Sequence, residues 1–122
     1  METKFNFNSA ICTSRSQSER LLALGLKKET ADMYYQKLND KWTPFVGQPF
    51  SYDGLSGTYL IPAWSLSRLI NIIQEDCPRL DIIKNVVWIK SVRFNADNIY
   101  DNLISAYEWL IKEGHFNKEY LA

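Results

Sequence analysis

The chain holds a single histidine, His115, so any Ser-His-Asp or Cys-His relay would have to run through it. No Gly-x-Ser-x-Gly elbow and no reactive-cysteine context accompanies it, which leaves nucleophilic catalysis unsupported. His115 directly follows the last helix expected in the chain, where the helix dipole favours an imidazolium, and that structural role is the reading adopted. Carboxylates are the next source of chemistry. Asp32, Asp53, Asp97 and Asp101 could act as acid and base partners. Asp53, however, precedes a turn glycine and Asp97 precedes a helix, positions where Asp serves the local backbone. Asp32 lies between Ala31 and Met33 in an apolar setting. A structural hydrogen bond accounts for it better than a catalytic role does.

Cys12 and Cys77 are the only cysteines, far apart and without a Cys-x-x-Cys pattern. Free, partly buried thiols are expected, with a disulfide between them left open. One His and two scattered Cys do not supply four zinc ligands. Gly47, Gly54 and Gly57 are irregularly spaced with no Lys-Ser or Lys-Thr pair behind them, so a phosphate loop is disfavoured. No cofactor is expected.

The elements that would position these residues are clearer than the chemistry. Ser16-Gln17-Ser18-Glu19 fits a capping box, and Gly25 ends the helix it opens, with Leu26 folding back over the end. The stretch 30–36 leans toward extended chain because of Tyr34 and Tyr35. Residues 39–57 read as a long irregular loop with one edge strand near Phe45-Val46. A strand over 57–61 is expected to close at Pro62, which lacks a ladder donor. Ser65 then caps a helix whose Leu66, Leu69, Ile70 and Ile73 share one face, and Cys77-Pro78 ends it. The Ile- and Val-rich run 80–94 reads as sheet, with Asn85 at a turn or bulge and both faces covered over part of its length. The last helix carries the stripe Tyr100, Leu103, Ile104, Tyr107, Leu110 and Ile111, capped by Asp97 or Asn98 and stopped by Gly114. A turn over 117–121 docks back on the body. These elements predict an α+β fold, with three main helices packed on a small, mainly antiparallel sheet.

With 122 residues, one domain spanning 1–122 is expected, its first ten residues flexible. Fourteen basic and 14 acidic residues cancel, which gives no global field for nucleic acid or an anionic membrane. The mixed run from Arg15 to Lys28 reads as a solvated helix face. Nothing approaches the ~20 apolar residues of a membrane span, and the opening residues show no apolar signal region, so the expected setting is the cytoplasm.

Tryptophans remain. On a helical wheel centred on Tyr100, Trp109 lies about 180° away by the ~100° advance per residue. It is off the apolar stripe, so it is covered by the tail around Phe116 and Tyr120 or meets another chain. Trp64 and Trp42 flank the long loop and could line a groove or plug the sheet. Trp88 with Lys90 and Arg93 could stack on single-stranded nucleic acid, although a strand that packs its Trp inward looks the same.

Three segments resemble a family of short uncharacterised proteins of gut-anaerobe bacteria, often encoded near prophage or other mobile-element genes. They are Gln17-Ser18 with Leu21-Leu22-Ala23-Leu24-Gly25-Leu26, then Thr30-Ala31-Asp32-Met33-Tyr34-Tyr35, then Ile61-Pro62-Ala63-Trp64-Ser65-Leu66-Ser67. Tyr100-Asp101-Asn102-Leu103-Ile104 and Trp109-Leu110-Ile111 are similar too, while 41–57 and the tail after Gly114 depart from the pattern. The resemblance implies a phage-like origin and carries no site residues across.

The expected function is a small non-enzymatic protein-interaction domain, with a protein partner or a homodimer held through Trp109, Trp64 and Trp42. The alternatives are a small enzyme or ligand-binding protein using a cleft near Trp42, Tyr59 and Trp64, with Asp32 as a polar anchor, and a nucleic-acid binder.

Overall fold

The computed structural model describes residues 10–47 and 60–122, so the expectations placed on 1–9 and on Asp53, Gly54, Gly57 and Tyr59 lie outside the described residues. The first helix, α1 (Arg15–Ala23), starts earlier than the expected box would place it. Its cap is Ser14, whose hydroxyl accepts the Gln17 N–H at 3.2 Å while the Gln17 side-chain oxygen accepts the Ser14 N–H at 2.8 Å. Gln closes a capping box as Glu does, and here it outcompetes the Glu19 alternative. Gly25 ends the helix at φ +99°, with its N–H on the Leu22 carbonyl and the Leu26 N–H on the Leu21 carbonyl. That pair of bonds is the Schellman closure.

A single 3-10 turn, Lys28–Thr30, leads into the first hairpin, β1 (Met33–Leu38) and β2 (Lys41–Val46). Part of the segment expected as irregular loop is therefore a full strand. Its turn, Asn39-Asp40, has both residues at positive φ, and it sets Leu38 opposite Lys41. β3 (Leu60–Ala63) pairs antiparallel on the other side of β1, giving the order β2-β1-β3. Pro62 lies inside β3 opposite Tyr34 and does not close it. An edge strand tolerates proline because one side of it has no ladder to satisfy, and the same holds for Pro44 in β2.

α2 (Leu66–Asp76) follows, capped by Ser65, and buries Leu69, Ile72 and Ile73. Cys77 caps its end. The run 80–94 is a meander of three short strands, β4 (Leu80–Ile83), β5 (Val86–Ile89) and β6 (Val92–Phe94), joined by two-residue turns. It forms a second sheet where one was expected. The expected cover on both faces is also corrected: Val87 and Ile89 point inward and are buried, while Trp88 on the opposite face stays 37% exposed.

The second of these turns, Lys90-Ser91, has no glycine to announce it, yet its residues sit at φ +50° and +68°. A left-handed conformation costs a non-glycine residue roughly 1–2 kcal/mol, and glycine releases that strain at some entropic cost. Ser91→Gly is therefore expected to raise stability by about 1 kcal/mol in urea unfolding. A destabilised variant would mean that the Ser91 side chain makes a contact worth more than the strain.

α3 (Ile99–Lys112), capped by Asn98 and closed at Gly114, is the centre of the packing. It contacts α1, α2, β5 and β6. Tyr107 donates to the Leu69 carbonyl of α2 at 2.7 Å, Asp101 faces Gln17 and Arg20 of α1, and Trp109 meets Phe94 of β6 edge-on at 6.5 Å. The main core gathers Leu21, Trp64, Leu69, Ile73, Val87, Ile89, Leu103, Ile104 and Tyr107 around it. Fully burying one Leu or Ile contributes about 1.5–3 kcal/mol, so this three-sided helix is the main source of stability. The tail docks as expected, on the segment after α1 and on α2: Leu26 bridges Leu121, Lys27 N–H donates to the Tyr120 carbonyl, and the Tyr120 hydroxyl donates to Glu75. The architecture is α+β; the described residues form two antiparallel three-stranded sheets with helices packed against them.

Candidate functional site

Trp64 follows the last residue of β3 and is 0% exposed, so it is removed from any partner surface. Its indole N–H donates to the Thr30 hydroxyl at 2.9 Å, and its backbone N–H donates to the Thr13 hydroxyl at 3.1 Å. Asp32 completes the junction. One of its oxygens accepts the Ser65 N–H at 2.9 Å and the other the Ser65 hydroxyl at 2.5 Å, while Arg68 donates to the Thr30 carbonyl at 2.7 Å. Both carboxylate oxygens of Asp32 thus hold the start of α2, where the dipole favours negative charge. The cleft expected around Trp42, Tyr59 and Trp64 loses Trp64 to the core, and Asp32 is committed to the helix start. Buried polar groups satisfied in this way specify one arrangement of strand and helix.

Trp42 lies half-buried under Arg15, whose guanidinium carbon is 4.7 Å from the ring centroid. The segment just before α1 is tied to the same sheet. Tyr35 donates its hydroxyl to the Thr13 carbonyl, and the Cys12 thiol points to Tyr35 at 3.4 Å. Burial pushes the Cys12 thiol above its ordinary range, which makes it a poor nucleophile. Cys12 and Cys77 are both free, and they lie in separate apolar clusters. Trp109 is half-buried against Phe94 and His115, so the tail reaches it as expected, but through His115 and not through the rings of Phe116 and Tyr120. Those two aromatics turn to each other, and Phe116 also to Tyr107.

His115 is exposed and lies tilted 5.9 Å from Trp109, with no hydroxyl, thiol or carboxylate bonded to its ring among the described residues. Asp101 is taken by Gln17 and Arg20, and Asp97 is exposed. Among the described residues no three His, Cys, Asp or Glu side chains gather as metal ligands would.

Among the described residues the outer face of the second sheet is left open. Strand alternation puts Asp81, Ile83, Trp88 and Arg93 on it, and the register aligns Asp81, Trp88 and Arg93 in one row across the three strands. Ile83 is 66% exposed there. Arg93 lies 5.6 Å from the Trp88 ring centroid. Beside the row an open groove of about 760 Å³ is lined by Asp76, Arg79, Asp81, Trp88 and Lys90 with Pro78. One large aromatic side chain lies on this face, with side chains of both charge signs around it. A second hollow of about 550 Å³ lies between the starts of α2 and α3, but Ser65 and Asn98 already satisfy the helix ends that face it. The nearness of Trp88 to Arg93 is legible in the sequence; the outward direction of the indole is not, because the 90–91 turn hides which parity faces the core.

No helix among the described residues is long and apolar enough to cross a membrane. No family model, curated protein or solved structure matches the chain.

Proposed function

We propose that the chain is a small non-enzymatic protein-interaction domain whose contact surface is the outer face of β4, β5 and β6, centred on Trp88. The carrying observation is a tryptophan held in mid-strand on a solvent face beside an exposed isoleucine, on a sheet whose inner face is committed to the core. Folding needs Val87 and Ile89 inside; it does not need an indole outside. Tryptophan is among the side chains most enriched at the residues that dominate binding. The mixed charge of the groove, with Asp76 and Asp81 beside Arg79 and Lys90, favours a protein over a nucleic-acid backbone, which would be repelled by the acids. The mobile-element setting implied by the resemblance belongs to the same proposal and supplies no partner of its own.

A photo-reactive amino acid at Ile83, expressed in the native cell, tests this reading. Protein adducts are expected from position 83, lost on Trp88→Ser in a chain that keeps its far-ultraviolet spectrum, and absent from a probe at the exposed Glu108 on α3. Adducts unchanged by Trp88→Ser, or shared with position 108, would remove Trp88 from the contact.

A further inference from the structure

The charge of the row Asp81, Trp88, Arg93 is antisymmetric about its centre. Asp81 on the edge strand β4 and Arg93 on the edge strand β6 each stand one strand, about 4.8 Å, from Trp88 on β5. Suppose two such faces meet with a two-fold axis between them, parallel to the strands and passing over Trp88. The operation reverses the row, so each Asp81 falls opposite the second copy's Arg93 and Trp88 meets Trp88. An axis at right angles to the strands would oppose Asp81 to Asp81 and Arg93 to Arg93, and charge selects against it. Face-to-face packing of two sheets with strand directions within about 30° is also the geometry of aligned β-sandwiches.

We infer that the occupant of the Trp88 face is a second copy of this chain, in an isologous dimer with its axis along the strands. The inference rests on the reading of this face as a protein contact. A two-fold operation makes every contact occur twice, so the dimer holds two Asp81 to Arg93 pairs flanking one tryptophan stack. The row supplies charge, aromatic area and self-complementarity, and Asp81 also has the exposed Arg79 of its own chain 3.9 Å away.

Size sets the strength. Three strands of four, four and three residues present a face of roughly 14 by 14 Å from the strand spacing and rise, well under the ~800 Å² per partner of a stable complex. Lys90, which lines the same groove, is also brought near its symmetry mate. The dimer is therefore weak and concentration-dependent, of the transient class.

Charge exchange tests the geometry. Sedimentation velocity of the full chain from about 10 µM to about 1 mM covers the range in which a weak complex changes its population. The wild type is expected to shift from monomer toward dimer across that range. Asp81→Arg and Arg93→Asp each create two like-charge oppositions and are expected to weaken association by at least about tenfold. In the mixture the Asp81→Arg chain is positive at both ends of its row and the Arg93→Asp chain is negative at both ends of its own. Both oppositions between the two chains are then of unlike charge, so the mixture is expected to associate within about threefold of the wild type. Because mixing leaves every contact within a chain unchanged, recovery cannot come from repaired folding. A wild type that stays monomeric throughout, or a mixture no more associated than either variant alone, overturns the dimer. Loss of the dimer leaves the broader reading to be judged by the position 83 adducts: masses of other proteins there would keep Trp88 as a contact, and their absence would end both.

Discussion

Trp64→Ala is expected to remove about 3–5 kcal/mol of stability, against a total of roughly 5–15 kcal/mol for a domain of ordinary stability. Two losses combine. The indole is the largest fully buried side chain, packed in the main core, and its removal leaves a cavity at the junction of β3 and α2. The Thr30 hydroxyl also loses the indole N–H that it accepts at 2.9 Å. Trp64→Phe separates the terms: it keeps most of the apolar volume and removes the donor, so a smaller loss of about 1–2 kcal/mol is expected. Thr30→Val is the reverse experiment, leaving a buried N–H unpaired, and costs about 1–3 kcal/mol. In a double-mutant cycle the pair Trp64→Phe and Thr30→Val should be less damaging than the sum of the singles, because neither polar group is then left without its partner. Urea unfolding followed by far-ultraviolet circular dichroism measures all four proteins. Additivity within about 0.5 kcal/mol would show that the bond contributes nothing beyond packing.

That junction also shows what one chain can and cannot convey. Ser65 as a cap, the α2 face of Leu69 and Ile73, and the glycine closures at Gly25 and Gly114 follow from local chemistry, and local chemistry is visible in one sequence. The role of Trp64 is not, because its partners, Thr13 and Thr30, are 51 and 34 residues away, and only the fold brings them together. Pro62 differs from expectation for a related reason. Whether a strand can hold a proline depends on whether it is an edge, which is a property of the sheet and not of the strand. The turns Asn39-Asp40 and Lys90-Ser91 carry positive φ without glycine, so the strongest local marker of a hairpin is absent from both. The hidden turn at 90–91 has a second consequence, since one uncounted pair of residues decides which parity of the strand meets the core. Trp88 moves from a packed strand to the open face on that account, and the candidate contact surface moves with it.

Asn102→Ala is expected to cost about 2–3 kcal/mol, although a helical wheel centred on Tyr100 puts this residue off the apolar stripe. It is 1% exposed because the second sheet covers that side of α3. Its carbonyl oxygen accepts the Ala96 N–H at 2.5 Å, and its amide donates to the Asn85 carbonyl at 2.5 Å and to the Ala96 carbonyl at 3.0 Å. One side chain thereby ties the β4 to β5 turn and the chain entering α3 to the helix itself. Asn85 reinforces the tie by donating to the Asp97 carbonyl at 2.9 Å. Alanine removes all three bonds at once. The partly exposed backbone of Asn85 and Ala96 can recover some of them from water, which is why the expected cost stays below that of Trp64→Ala. Asn102→Asp is the sharper probe. A carboxylate there faces the Asn85 and Ala96 carbonyls with no proton to give, so its folded-state pKa must rise above the unfolded value of about 3.9. A group raised in the folded state contributes least when ionised: the penalty relative to wild type should be largest at neutral pH and shrink as pH falls toward 4, where the protonated acid can again donate one bond. Urea unfolding of both proteins between pH 7 and pH 4 reads this difference directly, within the range of about three pH units over which such a group titrates. A penalty for Asn102→Asp that is flat with pH would mean that the amide N–H groups are not what holds the two carbonyls, and that the tie between the meander and α3 comes from packing alone.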